Sequence, residues 1–183
     1  VFNMLKAGFA RVDVTPPLGT PLHGYYRDRF ADGVLDPIEL NCVALSDGEN
    51  TAVIVTGDFL YICESAATPI RKLVSQKTGL DEKAIFLQGL HQHTSFRLGS
   101  RAGVAAWESD RVYLEMLNRK YCDVVTMALD DMSEATVGVG AEQASEPLSF
   151  IRRYRMKDGS AKTNPGVNNP DIVAPIGETD ERV

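Results

Sequence analysis

The sequence has 183 residues, of which 44% are hydrophobic and 24% charged, an ordinary composition for a globular domain with its own core. Its formal net charge of -6 repels phosphate backbones and anionic membrane surfaces, so we expect no nucleic-acid partner. No apolar run approaches the ~20 residues that a bilayer-spanning helix needs, so no transmembrane segment is predicted.

The chain opens with Val1, and Met4 could be its natural start. In that case no signal peptide precedes the domain and a cytoplasmic location is favoured, while a secreted or periplasmic location stays open. The oligomeric state is not indicated by any pattern in the sequence.

The first predicted elements are β-strands. Residues Leu5 to Val14 alternate loosely and end at a proline-rich loop, because proline lacks the N–H that a strand ladder needs. The runs Ile38 to Ser46 and Thr51 to Phe59 flank Asp47-Gly48-Glu49-Asn50, and an Asp-Gly pair between apolar runs predicts a β-hairpin.

A βαβ unit is predicted next. Residues Ile62 to Lys77 have helical spacing, with Thr68-Pro69 as a possible N-cap and first turn and Gly79 as the stop. The apolar run Ala84 to Leu90 then predicts a buried strand, parallel to the strand at Thr51 to Phe59 and reached by a right-handed crossover.

The rest of the chain is predicted as one long helix, two strands and a loop. The helix begins at a cap, Ser109, and runs to about Met132. Its apolar face is predicted to consist of Val112, Leu117, Tyr121, Val124, Val125, Ala128 and Leu129. Residues Ala135 to Ala141 and Leu148 to Met156 are expected to be strands. The fold class is therefore α/β: a mixed β-sheet with a βαβ unit and packed helices.

Residues 159–183 are rich in proline and asparagine and show no periodicity, which is unusual for a segment inside a compact domain. This segment is either a disordered tail or an ordered loop in a chain that continues beyond Val183. We favour the continuing chain.

Two histidines, His91 and His93, follow the second strand of the βαβ unit. In an extended chain residues i and i+2 project from the same face, so both rings could converge on one ion or substrate. Imidazole suits zinc, which in turn supports amide or ester hydrolysis. A metal or acid/base role is therefore predicted, although a satisfied core histidine is the ordinary alternative.

Three other residues are weaker candidates. Asp58 ends the first strand of the βαβ unit and could be a metal ligand, a carboxylate that orients an imidazole, or a strand-end cap. His23 lies in a Pro/Gly loop, where we expect it to line a cavity or the surface. Arg153 belongs to Arg152-Arg153-Tyr154-Arg155, which is either a solvated strand or a guanidinium site for an anion or polar head group.

This ordered set of features resembles the N-terminal part of the catalytic domain of the neutral/alkaline, non-lysosomal ceramidase family. The family motif resembles Thr-His-Thr-His-Ser-Gly-Pro-Gly-Gly, and this sequence keeps His91 and His93 but continues as Thr94-Ser95-Phe96-Arg97-Leu98. The other matching pieces are Ala7 to Pro16, Leu22 to Tyr25, Val55 to Asp58, and Arg152-Arg153 before Asn169-Pro170-Asp171.

The resemblance implies a zinc-dependent hydrolase of an N-acyl amide, acting on a lipid-like or other small acylated substrate. His91 would be a zinc ligand, His93 would contact the substrate or the oxyanion, and Arg153 and His23 would face the substrate. Residues 1–183 would form the N-terminal part of the domain, with the other ligands beyond Val183. The alternatives are a non-catalytic ligand-binding α/β module and a hydrolase of a different small acylated substrate.

Overall fold

A computed structural model describes residues 5–99 and 111–183 of the chain. The chain divides into two compact units, Val1–Thr136 and Val137–Val183. The first unit is a mixed sheet with two helices, and the second is a small antiparallel sheet. The predicted α/β class is confirmed. No helix in the described ranges has the length and apolar character needed to cross a membrane.

The first unit is organised around a five-stranded sheet in the order β6-β5-β4-β1-β7. Every pairing is antiparallel except that of β5 with β6. A separate two-stranded ribbon pairs β2 with β3. The strands are β1 (Lys6–Asp13), β2 (Pro21–Leu22), β3 (Arg29–Phe30), β4 (Glu39–Ser46), β5 (Thr51–Gly57), β6 (Ile85–Gly89) and β7 (Ser133–Glu134).

The predicted hairpin is present between β4 and β5. The Asp47 carboxylate accepts hydrogen bonds from the backbone N–H groups of Glu49 and Asn50, at 3.0 and 2.7 Å. Gly48 has a φ of 91°, a left-handed conformation that glycine adopts without a steric penalty. The Asp-Gly pair therefore sets the turn, and β4 buries alternate residues while β5 enters the core.

The βαβ unit is also confirmed in its pairing, with β5 and β6 parallel from Val53–Ile85 to Gly57–Gly89. The connecting helix, α1 (Glu64–Thr78), ends at Gly79 as predicted. Its predicted start at Thr68-Pro69 is wrong, because the helix begins directly after Cys63 and contains Pro69.

The earlier start of α1 has a packing cause. Proline within a helix removes one backbone hydrogen bond, but Ala67, Ile70 and Val74 are all buried in the core. Extending the helix upstream of Pro69 brings Ala67 into that core. Apolar burial therefore outweighs the local preference of proline for a first turn.

The long helix α2 (Arg111–Asp130) packs against β1 and β4 and against α1. Its predicted cap, Ser109, lies outside the described residues, and the helix ends at Asp130 instead of Met132. Val112 is 76% exposed, so its predicted place on the apolar face is wrong. The rest of the predicted face is confirmed, because its other residues are buried or, in the case of Leu129, packed against the core. The buried residues of α2 are Tyr113, Leu117, Tyr121, Val124, Val125 and Ala128.

The second unit contains a three-stranded antiparallel sheet in the order β10-β8-β9. Its strands are β8 (Arg153–Met156), β9 (Ala161–Thr163) and β10 (Ile172–Pro175). Three expectations are corrected here. The strand expected over Leu148 to Met156 covers only Arg153–Met156. Residues 135–141 do not form a strand, and the segment expected to be a tail or loop contributes β9 and β10. These strands are too short to show a periodicity, and a turn with Gly159 at a φ of 80° joins β8 to β9.

Gly8 allows a close approach between β1 and the C-terminal end of α2. A Cβ atom at Gly8 would lie 2.0 Å from the Ala128 carbonyl oxygen and 2.8 Å from the Met132 nitrogen. We predict that Gly8→Ala lowers the free energy of unfolding by about 1–3 kcal/mol, because helix and strand must separate to admit the methyl group.

Urea denaturation measures this change, and Gly138→Ala is the matched control because a Cβ atom there meets nothing within 4 Å. Equal stability of the Gly8→Ala and Gly138→Ala proteins would contradict the assigned contact between β1 and α2.

Candidate functional site

The candidate site lies where the parallel strands β5 and β6 end. The Leu90 N–H donates to the Gly57 carbonyl at 3.1 Å, and the His91 N–H donates to the Phe59 carbonyl at 3.0 Å. The Gln92 side-chain amide also donates to the Asp58 carbonyl at 2.7 Å. The two segments that follow the strands are therefore tied together at one edge of the sheet.

The His91 and His93 rings are neighbours at this edge. Their centroids are 5.2 Å apart and the planes are inclined by 70°. The two histidines were predicted to lie in extended chain. Instead, β6 ends at Gly89 and His91 has a φ of 64°. A left-handed turn, and not the alternation of an extended strand, brings the two rings together. His91 is exposed and His93 is half-buried.

The His93 ring packs against the loop between β2 and β3. A Cβ atom at Gly24 would lie 2.5 Å from His93 Nδ1 and 2.8 Å from its Cε1, so only glycine leaves room for the ring. Tyr25 meets His93 edge to face with ring centroids 5.5 Å apart, and the Arg29 guanidinium lies 4.4 Å from the centroid of the Tyr25 ring. The Nδ1 edge of His93 therefore faces Gly24, and Nε2 is on the opposite edge.

Tyr25, Arg29 and the role of Gly24 were not predicted as parts of the site. The Pro/Gly composition of this loop indicates only a turn, and the loop lies far from His93 in the sequence. A signal was nevertheless available, since Leu22 to Tyr25 is one of the segments that carry the family resemblance.

His23 joins this loop to the segment after β6. Its N–H donates to the Ser95 carbonyl at 3.0 Å, and its Nδ1 accepts a hydrogen bond from the Arg97 N–H at 3.1 Å. Burial lowers the pKa of His23, and the Arg97 charge lowers it further. Nδ1 can accept this bond only when it is unprotonated, so the neutral ring fits the observed contacts.

The Asp58 carboxylate is directed at the start of β4. Its Oδ2 accepts a hydrogen bond from the Glu39 N–H at 3.0 Å, and the Asp58 N–H donates to the Glu39 carbonyl at 3.1 Å. The Asp58 carboxylate therefore binds the backbone at the start of β4. The Gln92 contact with the Asp58 backbone keeps the residue at the same edge as the histidines.

Arg153 lies in the second unit, on β8. Arg153 and Arg155 are exposed, Tyr154 is half-buried and Met156 is buried, which is the alternation expected of a strand with one solvated face. The Ile176 N–H donates to the Arg153 carbonyl at 2.9 Å. The guanidinium is therefore presented on the exposed face of a strand that is held within its own sheet.

A cavity of about 710 Å³ opens beside the segment after β6. Leu90, Gln92 and Thr94 are among its lining residues, whereas His91 and His93 are not. Its remaining wall comes from the region between β1 and β4 and is mainly apolar, including Leu18, Leu22, Val34, Leu35 and Ile38. The segment after β6 thus borders the cavity through Leu90, Gln92 and the consecutive residues Thr94, Ser95 and Phe96.

The histidine pair fits part of a zinc site. Zn–N bonds of about 2.0–2.1 Å in tetrahedral geometry place two imidazole centroids roughly 5 Å apart, close to the observed 5.2 Å. Across residues 5–99 and 111–183, no group of three or more His, Cys, Asp or Glu side chains is placed to hold a metal ion. The described residues therefore offer two imidazoles, and further ligands would have to come from outside these ranges.

The fold is that of ceramidase structures. The structure of neutral ceramidase from Pseudomonas aeruginosa is similar over 83% of this chain, with a TM-score of 0.68 and 13% sequence identity. A structure described as ceramidase complexed with C2 is similar over 85% of this chain, with a TM-score of 0.64 and 12% identity. The resemblance seen in the sequence is confirmed at the level of the fold.

This chain spans 25% of the length of each of those two proteins. No protein-family model and no curated protein sequence matches it. At identities this low the structural similarity describes the fold, and any activity has to be argued from the site.

We predict that Gly24→Ala displaces the His93 ring. The new methyl group would occupy the space of Nδ1, and the left-handed φ of 97° is unfavourable for alanine. Gly19→Ala is the matched control, because Gly19 has a φ of 83° and a Cβ atom there meets nothing within 4 Å.

The ring resonances of His93, followed by NMR, are expected to shift in Gly24→Ala and to stay in place in Gly19→Ala. The same His93 spectrum in both variants would show that the His93 ring does not pack against Gly24.

A second prediction concerns the pH dependence of stability. Because the folded pKa of His23 lies below its unfolded value of about 6.5, the unfolded chain binds the proton more readily. The contribution of neutral His23 is present above about pH 6.5 and declines as the pH falls through the unfolded pKa toward the folded one.

Denaturation at pH 7.5 and pH 5.5 is expected to show a smaller acid-induced loss of stability in His23→Asn than in the unsubstituted protein, since the amide oxygen accepts from Arg97 without titrating. An identical loss in both proteins would show that His23 does not contribute.

Proposed function

We propose that this chain is part of a zinc-dependent hydrolase of N-acyl amide bonds, similar in mechanism to ceramidases. The observation that carries the proposal is the pair of adjacent imidazoles, His91 and His93, at the carboxyl edge of two parallel strands in a ceramidase fold. Ligands of open α/β sheets bind at this edge. The resemblance of the sequence around both histidines to the ceramidase motif supports the same assignment.

The two histidines are assigned different roles. His91 is exposed and is proposed as the zinc ligand contributed by this segment. Zinc bound there would supply Lewis acidity toward the amide carbonyl. His93, held against Gly24 and Tyr25, is proposed to hold and transfer a proton at Nε2, the nitrogen on the ring edge opposite Gly24.

The proposed substrate is a small or lipid-like acylated molecule. The apolar residues of the 710 Å³ cavity, among them Leu18, Val34 and Leu35, suit an acyl chain, and Thr94 and Gln92 supply polar contacts at its margin. By the ceramidase resemblance, Arg153 is proposed to contact the polar part of the substrate. His23 supports the site by fixing the loop that carries Gly24.

The first test is the zinc content of the full-length protein. We predict about one zinc per chain, loss of most of it in His91→Ala, and retention in His93→Ala together with loss of N-acyl amide hydrolysis. Lys72→Ala, a substitution of an exposed residue on α1, is the control and should keep both properties. Elemental analysis and an N-acyl amide assay measure the two properties separately.

Full zinc occupancy in His91→Ala would refute the ligand assignment. Loss of zinc from both His91→Ala and His93→Ala would make both histidines ligands. A full-length protein that binds no zinc would instead support a non-catalytic ligand-binding module, because the paired imidazoles alone cannot supply Lewis acidity.

A further inference from the structure

Two buried side chains near the histidine site each have a polar atom without a hydrogen-bond partner. Ser95 is 2% exposed and Arg97 is 6% exposed. Within the described part of the chain, neither Ser95 Oγ nor Arg97 Nε makes a hydrogen bond. Each such group loses its hydration on folding without replacement, which is costly for a hydroxyl and more so for a charged guanidinium.

Ser95 and Arg97 project from the same side of one extended segment. The Leu60 N–H donates to the Phe96 carbonyl and the Leu98 N–H to the Tyr61 carbonyl, along one edge. Along the other edge, His23 bonds the Ser95 carbonyl and the Arg97 N–H. Phe96 and Leu98 are packed into the core, so the intervening residues point the other way, roughly 6–7 Å apart.

The charge of Arg97 has no protein counter-ion in residues 5–99 and 111–183. The ion pairs found there involve Arg11, Arg71, Arg111 and Arg182. Arginine does not shed its proton when buried, so the charge that the described residues leave without a counter-ion suits an anion. A planar guanidinium matches the two oxygens of a carboxylate or phosphate group.

We propose that Arg97 and Ser95 form a binding site for an oxyanion, a carboxylate or phosphate group carried by an apolar ligand. The guanidinium supplies the charge and paired N–H donors, and the Ser95 hydroxyl supplies a further donor. Ser95 borders the 710 Å³ cavity, whereas Arg97 is not among its lining residues. The proposed head group therefore enters at Ser95 and reaches the guanidinium past it.

The cavity walls indicate why the anion should be attached to an apolar chain. Three carboxylates, Asp32, Asp36 and Asp58, line the cavity against one cation, Arg29. The excess negative charge opposes the entry of a free anion. A chain that contacts Leu18 and Leu35 gains apolar burial that offsets this repulsion. Octanoate is therefore expected to bind more tightly than acetate, and octyl phosphate more tightly than inorganic phosphate.

The experiment measures binding alone, so its outcome is independent of the hydrolase activity proposed above. Acetate, octanoate, inorganic phosphate and octyl phosphate are titrated into the full-length protein by calorimetry, and the Nε–Hε resonance of Arg97 is followed by NMR. Preference between the carboxylate and phosphate probes identifies which oxyanion the site takes.

Arg97→Met is expected to raise the Kd of the preferred probe by at least about tenfold, because hydrogen bonds to a charged group are lost. Ser95→Ala is expected to weaken binding less. Arg119→Met, an exposed arginine on α2, is the matched control and should leave the Kd unchanged.

The proposal is overturned if no probe binds, or if Arg97→Met binds as tightly as the unsubstituted protein. If Arg97→Met does not fold, the Kd of Arg97→Lys is measured instead. Lysine keeps the positive charge but lacks the planar guanidinium with its paired N–H donors. Weakened binding by a folded Arg97→Lys supports the site, whereas unchanged binding, or unfolding of both variants, overturns it.

Discussion

The parallel pairing of β5 and β6 is the constraint on which the candidate site depends. Two parallel strands joined through a helix end at the same edge of the sheet, so the residues after Gly57 and after Gly89 are brought together. The hydrogen bonds from Leu90 and His91 to the segment after β5 extend this pairing beyond the strands. Without it, His91 and His93 would sit on an unsupported loop.

A second layer of contacts reaches the site from an earlier part of the chain. The loop at His23 and Gly24 is bonded to Ser95 and Arg97 and also provides the surface on which the His93 ring lies. The histidine pair is therefore held from two sides, by the end of β5 and by this loop. Such support from several elements is what fixes a side chain in one orientation.

The parts of the fold that could be predicted from the sequence are those with strong local signals. The Asp-Gly turn and the continuous apolar runs of β5 and β6 identify the hairpin and the βαβ unit. The start of α1 and the strands β9 and β10 could not be predicted in the same way. Burial of Ala67 overrides the local signal of Pro69, and strands of three or four residues are too short to establish a period.

The candidate site was predictable in its residues but not in its geometry. The spacing of His91 and His93 and the edge they occupy follow from the sequence, whereas the left-handed turn at His91 does not. The contact of Gly24 with His93 joins residues far apart in the chain, so no local pattern reports it. Ser95 and Arg97 stand where the resembled motif has glycines. A sequence alone does not reveal that both become buried with Ser95 Oγ and Arg97 Nε unpaired within the described part of the chain.

The left-handed backbone at position 91 means that the residue best for stability differs from the residue that the proposed chemistry needs. This conformation costs a residue with a Cβ atom about 1 kcal/mol or more, whereas its cost for glycine is close to zero. Stability alone would therefore favour glycine at position 91, but glycine has no imidazole. Any screen that selects only for a more robust fold would tend to erase the ring, so retention of His91 under such selection would itself be a sign that the ring is used.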